Sequence, residues 1–172
     1  MAQQAMTGLT LEEVRSLTFE ELRGALESGE PPEPGELLGE YRGEVHFRLP
    51  RRKEVNPRGA AIARAITGWV WLGKVFDPPK NGVARGRNRI RVGPRVVHRL
   101  DFEARVDRSR ATGLRGLILD YDLPENPRVL RPTLDEIRRI GPAVYLGLAN
   151  VKGRRGRMHS LLYWTLQPLA GA

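Results

Sequence analysis

The clearest pattern along the chain is an alternation of apolar and charged positions over residues 95–107, RVVHRLDFEARVD. Even positions read Val96, His98, Leu100, Phe102, Ala104 and Val106, and odd positions read Val97, Arg99, Asp101, Glu103, Arg105 and Asp107. A period of two marks a half-buried strand, and it sets His98 on the inner face beside Phe102. Six further runs read as strands: 41–49, 68–76, 86–92, 114–122, 143–151 and 159–167. In 159–167 the pattern does not decide which face is inside. Residues 55–66 and the segment near 128–131 are candidates for additional strands. Turn text separates several runs, with DPPKNG at 77–82, VGP at 92–94 and KGRRGR at 152–157. Evenly spaced short strands with such punctuation predict an antiparallel barrel or sandwich.

Two stretches read as helix. Residues 9–28 contain Thr10–Glu13 and Thr18–Glu21, each with the Thr-x-x-Glu spacing of a capping box. They predict two short helices with an apolar stripe of Leu9, Leu11, Val14, Leu17, Phe19, Leu22 and Leu26, packed outside the barrel over its mouth or flank. GEPPEPGE at 29–36 then forms a Pro/Gly linker. The division expected is a helical extension and linker over 1–35 and a barrel domain over 36–169. RPTLDEIRRIG at 131–141 predicts one short helix near 133–140, with Thr133 as its cap and Gly141 as its stop.

Composition narrows the class. A chain of 172 residues with no cysteine fits one domain without a disulfide framework, thiolate metal site or cysteine nucleophile. No uncharged apolar run approaches the ~18–20 residues of a membrane span, and no secretory leader is read at the start, so a cytoplasmic location is expected. The net charge is +9, and it is uneven. Residues 1–47 hold three bases and ten acids, whereas residues 48–172 hold 26 bases and ten acids. Only four of the bases are lysines: Lys53, Lys74, Lys80 and Lys152. A solvated arginine surface is favoured over a nucleic-acid partner.

Residues 38–43 read LGEYRG, and residues 71–76 read WLGKVF, followed by Asn81-Gly82 and Asn88. Together with LDYDLPENP at 119–127, DEIRRIGPAVYLGLA at 135–149 and LLYWTLQ at 161–167, these segments resemble the uncharacterised bacterial family named for its Gly-Xaa-Trp-Xaa-Gly motif, with its companion domain of unknown function. Tyr41 stands where the motif has tryptophan. The resemblance implies a mainly β, calycin-like barrel, of the lipocalin and fatty-acid-binding type, with about eight to ten strands, and assigns no chemistry.

The functional reading that follows is a barrel binding a small hydrophobic or amphipathic molecule, including one that bears a carboxylate. The alternative is a barrel enzyme of cyclase or isomerase type. A weak, nonspecific nucleic-acid module is the third reading. Candidate ligand-binding residues are Tyr41, Trp71, His98, Phe102, Tyr121, Tyr145 and Trp164, since aromatic rings with polar edges suit such a pocket. An inward His98 would lie near Trp71 or Trp164, with Tyr121 or Tyr145 as its partner. Acid–base candidates are His98, Asp120 and Tyr121. No metal is expected, because His46, His98 and His159 lack ligand spacing. No cofactor is expected either, haem on His98 being the disfavoured alternative. Arg85, Arg87, Arg89 and Arg91 share one strand face. They read as an exposed ladder in preference to an anion site, with Asn88 and Ile90 on the other face.

Overall fold

The computed structural model describes residues 8–46 and 70–169. They form a closed antiparallel barrel of eight strands, each hydrogen-bonded to its neighbours in sequence and the last to the first. The strands are β1 (Gly39–His46), β2 (Val70–Phe76), β3 (Ala84–Val92), β4 (Arg95–Arg108), β5 (Arg115–Asp120), β6 (Thr133–Gly141), β7 (Val144–Lys152) and β8 (Met158–Pro168). This is the up-and-down order of a calycin-like barrel, and closure leaves no unpaired edge. Residues 55–66 and Trp69 lie outside the described residues, and 128–131 is turn.

Two helices precede the barrel, α1 (Leu11–Ser16) and α2 (Phe19–Ser28), and both capping boxes are formed. Val14, Leu22, Ala25 and Leu26 pack on Ile140, Val144, Leu146, Leu148 and Tyr163. Those residues are the outward side chains of β6, β7 and β8, so the helices cover the flank of the barrel. Arg15 ties α1 to β1 through Glu44 at 2.6 Å. The linker then crosses one end of the barrel. Glu30 pairs with Arg139 by backbone and side chain, and Leu37 is buried with Tyr41, Phe76 and Tyr145. We call this the linker end. The opposite end carries the β3–β4 hairpin.

The helix expected over 131–141 is a strand, β6. Its burial is nearly continuous, because α2 and the 109–114 loop cover its outer face while Asp135 and Ile137 face the interior. A strand covered on both sides loses its alternation, and DEIRRIG then imitates a helical stripe.

Of the four register shifts among the described strands, those in β2 and β4 set the interior. In β2 the register with β3 shifts between Trp71 and Gly73, so that Trp71 pairs with Ile90 and Lys74 pairs with Asn88. Trp71 and Lys74 thereby share the inner face although they are three apart in sequence. Gly73 makes this possible: its φ is +137°, and a Cβ there would lie 2.0 Å from the Tyr41 carbonyl oxygen. In β4 the register shifts beside Leu100, which has φ +61°. Phe102 and Ala104 face inward opposite Gly86 and Ala84. Beyond the bulge, Arg99 lies opposite Asn88, Val97 opposite Ile90 and Arg95 opposite Val92. The even positions are therefore inside on one side of Leu100 and the odd positions on the other.

Candidate functional site

Lys74 stands at the centre of the interior, 2% exposed. Its Nζ donates to Asn88 Oδ1 at 3.0 Å, Tyr121 Oη at 2.5 Å and Asp135 Oδ2 at 3.0 Å. Tyr121 Oη donates onward to Asp135 Oδ2 at 3.0 Å. Asn88 completes the set: Oδ1 accepts from Trp71 Nε1 at 2.9 Å, and Nδ2 donates to Tyr121 Oη and the Leu100 carbonyl, both at 3.2 Å. Four rings surround the ammonium, with Trp164 at 4.7 Å, Phe102 and Tyr121 at 5.2 Å and Trp71 at 5.7 Å from their centroids.

The energetics explain how a lysine survives there. Desolvating an ion costs several kcal/mol. Hydrogen bonds to charged groups return about 1.5–3 kcal/mol each, and a desolvated cation–π contact returns about 2 kcal/mol. The opposing terms are of one size, so the centre is stable only while all its members are present. Burial pulls the Lys74 amine below its ordinary range, opposed by the Asp135 carboxylate, and pushes the Tyr121 phenol well above its own.

Next to this centre, toward the hairpin end, lies a pocket of about 290 Å³ lined by Ile90, Val92, Arg95, Val97 and Arg99. Ile90 follows Asn88 by two residues on the same face of β3, which places the pocket ~7 Å along the strand from the polar centre. The β4 bulge is what turns Val97 and the two arginines onto this face. A larger cleft of about 510 Å³ occupies the outer wall, with Arg105, Ile118, Asp120, Glu136 and Lys152 in its lining. Glu136 is 1% exposed there and accepts from Thr112 Oγ1 at 2.9 Å; burial raises its carboxyl.

Of the residues expected at a site, Trp71, Phe102, Tyr121 and Trp164 converge on Lys74. Tyr41 and Tyr145 lie at the linker end, with ring centroids 5.9 Å apart, and burial pushes the Tyr145 phenol up to about 12. His98 does not face inward. The bulge places it on the outer surface opposite Arg89, its side chain 37% exposed and its Nε2 3.3 Å from Glu40 Oε1. Pocket contact and haem ligation through an inward imidazole therefore lack their geometry. Asp120 is on the outer face, 3.8 Å from Arg105. Three of the four ladder arginines meet carboxylates: Arg85 with Glu103, Arg87 with Asp77 and Arg89 with Glu40.

The sequence reading missed Lys74, Arg99 and Asp135. The available signal was Lys74 itself, one of four lysines in an arginine-rich chain, set between aromatic residues in WLGKVF.

No family model matches the chain, and no curated protein or solved structure does. Among the described residues no helix is long and apolar enough to cross a membrane, and no group of three or more His, Asp or Glu side chains is placed to hold a metal ion.

Proposed function

We propose that the barrel binds a small amphipathic carboxylate at its hairpin end. The apolar body lies on Ile90, Val92 and Val97, and the acid meets Arg95 and Arg99. One observation carries this reading. The β4 bulge turns Arg95, Val97 and Arg99 onto the face that carries Ile90, where they line one open pocket at the exposed hairpin end. Guanidinium forks suit a carboxylate, and Ile90, Val92 and Val97 supply the apolar surface beside them. Kinship with the Gly-Xaa-Trp-Xaa-Gly family is part of the same proposal, supported by the pairing of LGEYRG with WLGKVF as β1 and β2.

Titrating intrinsic tryptophan fluorescence with dodecanoate, its methyl ester and dodecanol tests this. Saturable quenching by the acid is expected, weakened about 10- to 100-fold for the ester or in an Arg95→Ala/Arg99→Ala double variant, as for loss of a charged hydrogen bond. Equal response to all three molecules would remove the role of the acid.

A barrel enzyme is the second reading, favoured by the mutual contact of three ionisable groups, Lys74, Tyr121 and Asp135. Nucleic-acid binding is third, since carboxylates already occupy most of the arginine ladder.

A further inference from the structure

Lys74 has no part in holding an acid at the hairpin end. Of the three lysines among the described residues it alone is buried; Lys80 and Lys152 are exposed. We propose that Lys74 Nζ forms a reversible imine with a small aldehyde or ketone that enters from the hairpin pocket. The barrel would then capture carbonyl compounds covalently as well as anions by charge.

The register sets the distance between the pocket and the amine. Trp71 is opposite Ile90, which lines the pocket, and Lys74 is opposite Asn88, one step deeper. An extended molecule with its tail in the pocket needs ~7 Å to reach that level, with Asn88 and the Trp71 indole turning aside.

The neighbours supply the proton transfers. An ammonium is not a nucleophile, and Asp135 Oδ2 at 3.0 Å is placed to take its proton. Burial disfavours the charged amine and so lowers the cost of that transfer, and Lys74 is shifted in that direction. The freed lone pair attacks the carbonyl carbon. A C–N bond forms, and the carbonyl π pair moves to oxygen, which takes a proton from Tyr121 Oη, 2.5 Å from Nζ. Tyr121 recovers a proton from the nitrogen. Asp135 returns its proton to the new hydroxyl, which leaves as water as the C=N bond forms. Ammonium plus carbonyl becomes iminium plus water. One positive charge is present before and after, so Asp135 and the four rings stabilise reactant and product alike.

The proposal rests on the reading above only in using the same entrance. The test incubates the intact full chain with decanal and cyanoborohydride at neutral pH, then locates reduced adducts by peptide mass spectrometry. Lys74 is expected to be labelled on the order of tenfold ahead of Lys80 and Lys152, as for other desolvated, activated lysines. That preference should vanish when the chain is unfolded in urea before labelling. Adducts on Lys80 and Lys152 with none on Lys74 would overturn the proposal. Dodecanoate binding without a Lys74 adduct removes the imine and keeps the acid site; a Lys74 adduct without dodecanoate binding does the reverse.

Discussion

Asn88 Nδ2 donates to the carbonyl oxygen of Leu100 at 3.2 Å, and Leu100 is the residue at which β4 exchanges its inner and outer faces. A leucine at φ +61° is strained by about 1–2 kcal/mol, and this bond is one of the contacts that hold it. Asn88→Ala would leave the Leu100 carbonyl, the Trp71 N–H and one Lys74 proton without their partner. A buried unsatisfied group costs about 1–3 kcal/mol, so urea denaturation should show a loss of at least that size. A variant of unchanged stability would mean that the carboxamide is dispensable to the bulge.

Removing one member of the buried ion pair should cost more than removing both. Lys74→Met leaves the Asp135 carboxylate uncompensated, and Asp135→Leu leaves the ammonium so; each is expected to lose about 3–5 kcal/mol. The double variant should recover a substantial part of that loss, because an apolar pair can replace a buried ion pair with little penalty. Additive losses in a double-mutant cycle would contradict the coupling seen in the geometry.

Glu136 predicts a pH dependence of definite sign. Burial raises its carboxyl in the folded chain. Between the ordinary carboxylate range and that raised value, the folded chain holds a proton that the unfolded chain has released. Stability from this group therefore falls as pH rises through that window. Glu136→Gln should flatten the decline and match or exceed the parent in melting temperature at neutral pH. A melting temperature that is lower at every pH would show that the ionised carboxylate is needed by its neighbours.

His98→Phe should be nearly silent. The imidazole is on the outer surface with Glu40 as its partner, and exposed polar contacts of this kind contribute about 0–1 kcal/mol. Thermal melts and dodecanoate titrations of the variant should overlay those of the parent. A clear loss of ligand affinity would restore the inward register and remove the bulge-based pocket.

Much of the fold was legible in the sequence. The capping pairs at Thr10 and Thr18 located both helices, and the turn text at 77–82 and 92–94 bounded β3. What escaped was everything that departs from period two. A bulge adds one residue, and the alternation of Val96, His98 and Leu100 is equally apolar-rich on both sides of it. Nothing in those letters says that the face changes at Leu100 and carries His98 outward. Gly73 hides the second shift in the same way, so that Trp71 and Lys74 read as opposite faces. Asp135 was lost with the strand that holds it, since helices packed outside the barrel make both faces of β6 look buried. The aromatic half of the centre was visible; its charged half depended on those irregularities.

The linker gives the barrel a direction. Leu37, Phe76, Tyr41 and Tyr145 are buried together at one end, and Arg139 anchors the crossing chain through Glu30 and Glu36. The vessel is therefore blind at that end: a molecule seated near Lys74 cannot pass through and must back out the way it came. Its residence time would be set by how readily the hairpin tip lets go, so mutations around Val92 and Val97 should alter dissociation rates while substitutions along the linker leave them untouched.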